Sequence, residues 1–391
     1  MNVVIAQNVS LQNHLALSTY LRSIASYLAR LDELNLRLAV QGPRGELGGL
    51  PTERIRAIDA DTYTLKGNAR YAWRLYHALR ELQAEERIDV IHCLYPNSSV
   101  QAAALFKRFC SPGVKIVYDI RSPWIEASVE KLSLGVEAEI YRNLAYGVES
   151  FLAKYVDGFV FITPGLQDFY REKLRRDTEP SRVIPSGVDL ELFAPRDPTP
   201  ARERYTIPAG DIVLGYVGAI SRERELDFAI RALAELEEGD RTYRLMFIGD
   251  GDDRKRLEGV ADSLGVGDRV VFTGRVEYEL VPELISAFDF GLCHLPDVLF
   301  FRRSFPMKVL EYVACGTPVI ASRIRAHEDI AADLPMILYK HDDPSDLARV
   351  LAEQGKSAST LPDGIRRYGW DRIAADLATC YREAASGPTP G

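Results

Sequence analysis

Short apolar runs alternate with longer segments of helical periodicity along this chain, and that alternation limits the folds open to it more than any other feature. In the first half the apolar runs are residues 3–6, 36–40, 90–93, 115–118 and 158–162. The amphipathic segments include residues 16–31, 69–86, 136–155 and 165–174. Strands that are apolar on both faces and separated by helices are typical of a parallel sheet covered on both sides. The pattern therefore predicts a doubly wound α/β fold.

The alternation is interrupted once, between residues 183 and 200, where the density of Pro and Gly is the highest in the interior of the chain. Such a stretch is typical of a linker between domains. After it the pattern restarts, with apolar runs at residues 212–217, 244–248, 270–273, 290–294 and 319–321. We therefore predict two Rossmann-like domains that face a central cleft, residues 1–185 and residues 186–367. Ligands of such sheets bind outside the carboxyl ends of the strands.

Length and composition exclude several classes of protein. A chain of 391 residues is too long for one comfortable core. The net charge of −8 argues against a general attraction to nucleic acid. Five widely spaced cysteines without a Cys-x-x-Cys pair argue against a disulfide framework or a zinc site. The first residues lack the pattern of a signal peptide, and no apolar run approaches the roughly 20 residues that span a bilayer. We expect a cytoplasmic protein.

The stretch SFPMKVLEYVACGTPVIAS, residues 304–322, combines a helix start, a lysine, a glutamate and a strand entry. Ser304 is a good N-cap, and the proline two residues later suits a first helical turn. The amides of Met307 and Lys308 would then point outward at the positive end of the helix, which is a geometry that collects phosphate. Lys308 adds a full charge, and Glu311 lies one turn along, where it can accept hydrogen bonds from hydroxyl groups. A diphosphate that carries a polyhydroxy group is the simplest ligand for this stretch.

Three strand-to-turn junctions of the second half can meet around the same ligand. The first is LGYVG, which ends at Gly218, where a glycine lets a phosphate approach the backbone; Arg224 follows it as a cation. The second is FIGDG, residues 247–251, and the third is VFTGRV, residues 271–276, whose backbone groups suit the edge of a base. A single Gly-x-Gly turn is weak evidence by itself.

Taken in order, these segments resemble the retaining, nucleotide-sugar-dependent glycosyltransferases of family 4, which have the GT-B fold. The resemblance extends from IPSGVD at residues 184–189 through FIGDG and VFTG to GTPV at residues 316–319. The first half matches only in outline. The resemblance implies that the first domain binds the acceptor and the second the donor, and that the last helix, residues 368–386, packs back on the first domain.

The resemblance also implies roles for single residues. Glu311 matches the family's glutamate that holds the ribose hydroxyls of the donor. Met307 and Lys308 match positions whose amides contact the diphosphate, and Arg224 matches a basic residue that neutralises it. The pair Arg275 and Val276 lies where family members contact the nucleobase.

Two positions depart from the family pattern. The family usually has a glutamate that contacts the donor sugar eight residues before Glu311, where this chain has Arg303. It also usually has an arginine directly after the glycine of the first junction, where this chain has Ala219. We hypothesise that Arg302 or Arg303 replaces the lost cation or reads an anionic donor sugar such as a uronate. The alternative, that both arginines face solvent, stays open.

The resemblance implies a reaction that keeps the anomeric configuration, needs no metal, and uses a donor phosphate oxygen to take the proton of the acceptor. The donor would be a UDP- or GDP-linked sugar and the acceptor a saccharide or a lipid-linked molecule. In the first domain, Asp119 follows an apolar run and is a candidate to orient the acceptor hydroxyl, although a carboxylate that caps a turn is the more common role. Asn13 and His14 are weaker candidates.

Alternatives remain at this level. One is a nucleotide-sugar epimerase or hydrolase, and another is a non-catalytic or regulatory partner protein with the same fold. Residues 69–86 carry basic and aromatic side chains that suit a peripheral contact with the inner face of a membrane. An ordinary amphipathic helix that buries its apolar side chains against the sheet explains the same residues, and we prefer it. The sequence does not indicate an oligomeric state.

Overall fold

The computed structural model describes residues 1–8, 16–42, 50–60, 64–130, 135–174, 178–236, 242–354 and 361–386. The chain divides into two compact units. The N-terminal unit consists of Met1–Ser186 and Trp370–Gly391, and the C-terminal unit consists of Gly187–Gly369. Asn13 and His14 lie outside the described residues.

The N-terminal unit contains a parallel sheet of seven strands in the order β3-β2-β1-β4-β5-β6-β7. The strands are β1 (Asn2–Gln7), β2 (Asn35–Gln41), β3 (Ile55–Ile58), β4 (Val90–Leu94), β5 (Lys115–Ile120), β6 (Gly158–Phe161) and β7 (Ser181–Val183). The helices are α1 (Ala16–Leu28), α2 (Leu65–Glu85), α3 (Ser98–Phe109), α4 (Trp124–Glu130), α5 (Val136–Leu152) and α6 (Pro164–Leu174).

The C-terminal unit contains a parallel sheet of six strands in the order β10-β9-β8-β11-β12-β13. The strands are β8 (Ile212–Val217), β9 (Tyr243–Ile248), β10 (Val270–Gly274), β11 (Phe290–Cys293), β12 (Val319–Ser322) and β13 (Met336–Tyr339). The helices are α7 (Thr199–Arg204), α8 (Asp227–Glu235), α9 (Arg254–Ser263), α10 (Val281–Ile285), α11 (Leu299–Arg302), α12 (Met307–Ala314), α13 (Arg325–Ala331) and α14 (Pro344–Glu353).

Helices cover both faces of the second sheet. Successive side chains of a strand point to opposite faces, so each strand contributes to the buried cluster on either side. On β8, Ile212, Leu214 and Tyr216 join the buried cluster that contains α8, α9 and α14. Val213 points the other way and joins the cluster that contains α10, α12 and α13. The predicted doubly wound α/β architecture is confirmed for both sheets.

The last helix, α15 (Trp370–Ser386), belongs to the N-terminal unit although it follows the second sheet in the chain. Its indole Trp370 packs against Tyr20 of α1, with ring centroids 5.6 Å apart. Near its end, the hydroxyl group of Tyr381 lies 2.6 Å from Nδ1 of His92 on β4. Within the described ranges, no helix combines the length and the apolar character that crossing a bilayer requires.

Candidate functional site

The order of the second sheet reverses between β8 and β11, and the two strands separate there before they end. β8 pairs with β9 along its whole length, but with β11 only through Leu214 and Gly215. Beyond that point the hydroxyl group of Tyr312, on α12, accepts a hydrogen bond from the amide of Val217 at 2.8 Å and donates one to the carbonyl of Leu292 at 3.3 Å. A side chain from α12 therefore replaces a ladder contact at the topological switch point, which is where ligands of such sheets bind.

Two glycines in the central strands let aromatic rings lie against the sheet: Tyr312 of α12 at Gly291, and Phe288, which follows α10, at Gly215. A Cβ atom on Gly291 would lie 2.4 Å from the ring of Tyr312, and one on Gly215 would lie 2.2 Å from the ring of Phe288. Both distances are far below van der Waals contact, so no other residue fits at either position without moving an aromatic ring. Glycine inside a strand often marks such a close approach.

Lys308, one turn before Tyr312 on α12, places its charge at the end of β8. Its Nζ lies 3.5 Å from the centroid of the Tyr216 ring, and a Cβ atom on Gly218 would come within 3.3 Å of it. Gly218 has a φ of +137°, a backbone conformation that side-chain-bearing residues rarely adopt. The ammonium group is held by an aromatic face and has no direct ion pair with a described carboxylate.

Arg224 supplies a second cation at the same edge of the sheet. It ends a short 3-10 helix, Arg222–Arg224, that follows β8, and its guanidinium group lies 4.9 Å from the centroid of the Phe301 ring on α11. Burial raises the pKa of the Cys293 thiol to about 11, and the charges of Lys308 and Arg224 both oppose that rise. The two predicted phosphate cations therefore both act on the carboxyl end of β11.

The start of α12 differs from the prediction. Ser304 is not the N-cap: its hydroxyl group donates to the carbonyl of Phe301 at 3.0 Å, and the helix begins at Met307. Pro306 precedes it with an extended ψ of 95°, and no side chain caps the first turn. The first amides of a helix have no partner within the helix. Without a capping side chain, the amides of Met307 and Lys308 remain open to a ligand from outside the helix.

Glu311 lies on the same helix, one turn after Lys308. Its side chain is only 8% exposed, and Oε1 accepts a hydrogen bond of 3.0 Å from the hydroxyl group of Tyr278. Burial raises the pKa of Glu311, whereas the bond from Tyr278 and the charge of Lys308 lower it. The ring of Tyr278 packs against Phe193 at 5.4 Å between centroids, which fixes the position of its hydroxyl group.

The other predicted donor residues also lie in the C-terminal unit. Arg275 is exposed and follows β10, and Val276 packs on the adjoining core. Arg303 is half-buried and directly follows α11. Arg302 is held by Asp297, with Nε 2.6 Å from Oδ1 and a second nitrogen 2.8 Å from Oδ2.

For Asp119, which lies in the N-terminal unit, the structure corrects the predicted role in orienting the acceptor hydroxyl group. It has no exposed surface, because it belongs to the buried strand β5. Its Oδ2 accepts a hydrogen bond of 3.0 Å from the hydroxyl group of Tyr20 and lies 3.3 Å from Nε2 of His92. On its other side, Oδ1 lies 3.1 Å from Nε of Arg121, whose guanidinium group stacks on Tyr20. Asp119 therefore anchors a buried polar network and does not present its carboxylate to an acceptor.

Two family models match the two halves of the chain. A sequence model described as "Glycosyl transferases group 1" matches residues 198–360, and another described as "Glycosyltransferase Family 4" matches residues 17–192. Together they account for most of both units. The chain belongs to the family 4 glycosyltransferases.

Relatives of this glycosyltransferase include two proteins named D-inositol 3-phosphate glycosyltransferase. The one from Stackebrandtia nassauensis is 29% identical over 316 residues, which cover 76% of this chain and 68% of the relative. The one from Nocardiopsis dassonvillei is 28% identical over 314 residues, which cover 76% of this chain and 71% of the relative.

Solved structures share its fold at low sequence identity. Sucrose-phosphate synthase from Thermosynechococcus elongatus superposes with a TM-score of 0.74 at 20% identity, over 97% of this chain and 98% of that one. Anabaena Alr3699/HepE, solved in complex with UDP and glucose, gives a TM-score of 0.72 at 16% identity, over 97% and 98%. The predicted GT-B fold is confirmed.

In this family 4 glycosyltransferase, the position that usually carries an arginine after the first glycine is Ala219. Its carbonyl accepts a hydrogen bond of 3.0 Å from the hydroxyl group of Tyr216, the residue whose ring supports Lys308. The sequence prediction missed Tyr216, Tyr278 and Tyr312, which position Lys308, Glu311 and α12. Glycines at Gly215 and Gly291 inside apolar runs were the available signal that a bulky side chain packs against the strands.

Proposed function

We propose that the chain transfers a sugar from a nucleotide-diphosphate donor, bound by the C-terminal unit, to a hydroxyl group of an acceptor bound by the N-terminal unit. The observation that carries the proposal is the Lys308 ammonium group, which has no direct ion pair with a described carboxylate and lies beside Gly218 at the switch point of the sheet, next to the uncapped start of α12. A diphosphate placed there meets a full positive charge and the positive end of a helix.

The proposed chemistry follows from where negative charge develops. When the bond between the anomeric carbon and the diphosphate oxygen breaks, the sugar becomes oxocarbenium-like and the diphosphate becomes more negative. Lys308, Arg224 and the amides of Met307 and Lys308 stabilise that charge with groups already in place. The acceptor oxygen forms the new bond on the same face of the sugar, and its proton passes to a phosphate oxygen. The anomeric configuration is retained, and no metal is required.

The remaining donor contacts are proposed by family resemblance. Glu311, held by Tyr278, accepts hydrogen bonds from the ribose hydroxyls. Arg275 and Val276 contact the base of a UDP- or GDP-linked donor, and Arg303 faces the transferred sugar. That Anabaena Alr3699/HepE was solved with UDP-glucose supports a nucleotide-sugar donor for this fold.

The acceptor is proposed to be a saccharide, a sugar-like alcohol or a lipid-linked molecule. D-inositol 3-phosphate is the first probe, because the relatives above are named for it. A peripheral membrane contact is proposed for α2, where Trp73 is 61% exposed between the exposed residues Arg70 and Arg80. Co-sedimentation with anionic vesicles at low salt tests that contact directly, and no binding removes it.

The test of the proposed function measures release of free nucleotide from a panel of UDP- and GDP-linked sugars, with and without acceptor. A transferase releases nucleotide in proportion to acceptor and forms a product whose anomeric configuration matches the donor by NMR. A hydrolase releases nucleotide without acceptor, and an epimerase converts the donor without releasing it. A non-catalytic partner protein binds a donor without turnover. Activity that persists in EDTA supports the metal-independent reaction, and loss of activity in EDTA refutes that part.

A further inference from the structure

Helix α5 in the N-terminal unit carries a line of exposed apolar side chains that no other part of the described chain covers. Val136, Ile140, Leu144, Val148 and Phe151 are between 45% and 77% exposed. They recur every three or four residues, so they lie on one face of the helix. Single exposed apolar residues are normal on a protein surface, but five in a continuous line mark an interaction surface. We call this face the α5 stripe.

The α5 stripe is complementary to itself in one antiparallel arrangement. A two-fold axis that passes between positions 145 and 146 places Leu144 opposite Gly147 of a second copy, and Ile140 opposite Phe151. Gly147 is exposed, and a Cβ atom built on it meets nothing within 4 Å. A large side chain thus faces an open glycine, which lets two helices approach closely. The same axis pairs a further apolar residue at each end, Val136 with Tyr155.

Charge agrees with the same register. Glu137, in the first turn of α5, lies opposite Lys154 of the second copy, just after the end of the helix. Neither side chain forms an ion pair with any residue that the structure describes; Lys154 contacts the Phe151 ring of its own chain at 5.7 Å. Antiparallel helices also oppose their dipoles favourably. Both charges fall on the edges of the stripe, on opposite sides of its centre line, as a two-fold pairing requires.

A lipid surface fits the α5 stripe less well. The helix begins with the exposed acidic residues Glu137 and Glu139. Its one arginine, Arg142, is already paired with Glu126 at 3.0 Å and with Glu139 at 2.6 Å. Interfacial helices that bind anionic lipid are rich in unpaired Lys and Arg on their polar face. The charges around this stripe would oppose such binding.

We propose that the α5 stripe is the interface of a symmetric homodimer, in which two copies of this chain pair α5 antiparallel about an axis between positions 145 and 146. A helix of 17 residues is about 26 Å long, so the helix pair alone is smaller than a standard interface of roughly 800 Å² per partner. The neighbouring helix α3 adds exposed Leu105 and Phe109. The dimer is weak and concentration-dependent, with a dissociation constant on the order of 10 µM.

The first test is sedimentation velocity of the full chain over a concentration series up to about 100 µM, ten times the expected dissociation constant. The wild type is expected to shift from monomer to dimer. Leu144→Glu and Gly147→Leu are expected to raise the dissociation constant at least tenfold, and Gly147→Leu meets open space in the monomer, so its fold is unaffected. Leu361→Glu, at a residue 51% exposed in the C-terminal unit, is the matched control and is expected to dimerise like the wild type.

The second test reads the register. In a Cys110→Ser background, which removes the exposed native thiol, Glu137→Cys protein is mixed with Lys154→Cys protein under mild oxidation. Disulfide-linked dimer is expected in the mixture and not in either protein alone, because the axis pairs unlike positions. Equal cross-linking in all three samples overturns the register.

Other outcomes overturn the proposal as a whole. A wild type that stays monomeric through the series refutes the interface. So does a dimer that survives both Leu144→Glu and Gly147→Leu, because the contact then lies elsewhere. If monomeric wild type co-sediments with phosphatidylglycerol vesicles and Leu144→Glu abolishes that binding, the stripe belongs to a lipid surface instead. None of these measurements depends on catalytic activity.

Discussion

The replacement of Lys308 by alanine tests the central electrostatic claim. The ammonium group has no carboxylate partner among the described residues and rests on the face of Tyr216. Its charge is therefore available to the diphosphate. Removing one preorganised charged donor from a developing anion typically costs about 3 kcal/mol of transition-state stabilisation, or a factor of roughly 100 in rate. We expect Lys308→Ala to lower kcat/KM about a hundredfold, with most of the loss in kcat because the diphosphate gains charge as the bond breaks.

The Lys308→Ala substitution should leave the stability of the fold nearly unchanged. Lys308 contributes no ion pair, and a cation on an aromatic face is worth about 0.5–2 kcal/mol. We therefore expect the melting temperature to change by only a few degrees. Lys340→Ala is the matched control, because that lysine lies in the same unit, 3.9 Å from Asp343, outside the proposed site. It should keep wild-type kinetics.

Nucleotide release at saturating acceptor gives kcat and KM for the donor, and differential scanning fluorimetry gives the melting temperature. Lys308→Arg separates charge from shape: the Nζ position is bounded by the ring of Tyr216 and by Gly218, so the larger guanidinium group should restore only part of the rate. A Lys308→Ala enzyme within threefold of wild-type kcat/KM, with an unchanged melting temperature, would refute the assignment of the diphosphate to this helix.

Three further predictions concern other groups of the C-terminal unit. Tyr278→Phe removes a hydrogen bond that lowers the pKa of Glu311. The acidic limb of the pH profile of kcat/KM should therefore move to higher pH, and the donor KM should rise several-fold. If the acidic limb does not move, Glu311 does not bind the donor. Burial lowers the pKa of His294 to about 3 and that of His327 to about 4, so both side chains stay neutral in the folded protein. As the pH falls below 6.5, these histidines take up protons in the unfolded state but not in the native state, so the native state loses stability. Urea unfolding should therefore show about 2 kcal/mol of lost stability per histidine at pH 5 relative to pH 7, and His294→Gln should lose its share of that dependence; an unchanged dependence in the variant contradicts the assignment. Arg303→Ala and Arg303→Glu should both reduce turnover of a uronate donor more than turnover of a neutral hexose donor. If both variants keep wild-type rates with both donors, Arg303 does not recognise the donor sugar.

The apolar runs of the sequence predicted ten of the thirteen strands that the structure describes. All ten predicted strands exist, because each is an apolar run with few polar residues; nine are mostly buried, and β10 is half-buried throughout. Three strands were not predicted: β3, β7 and β13. They occupy edge positions of the two sheets, are three or four residues long and are mostly half-buried. An edge strand is packed on fewer sides, so its composition can carry less of the apolar pattern that marks a strand. The fourth edge strand, β10, has one more residue than β3 and β13 and was predicted from its apolar run.

The sequence analysis named the charged residues of the candidate site but not the residues that hold them in place. Lys308, Glu311 and Arg224 were predicted because charge near a helix start has a simple chemical meaning. The hydroxyl group of Tyr312, which had no predicted role, bridges the amide of Val217 and the carbonyl of Leu292. A buried tyrosine in sequence does not reveal which backbone groups its hydroxyl group will satisfy, because those depend on how far two neighbouring strands diverge.

The bridge made by Tyr312 explains why one short helix can define the proposed donor site. Positions 308, 311 and 312 lie within about one turn of α12, so a helix fixed at Tyr312 also fixes the ammonium group and the carboxylate. That fixing depends on Gly291, against which the Tyr312 ring lies, since any Cβ atom there would enter the ring. The geometry offered to the donor is therefore set by a glycine inside a buried strand as much as by the side chains that would touch the ligand. Catalysis depends on such positions to fractions of an ångström, whereas global stability depends on them only through the packing they permit.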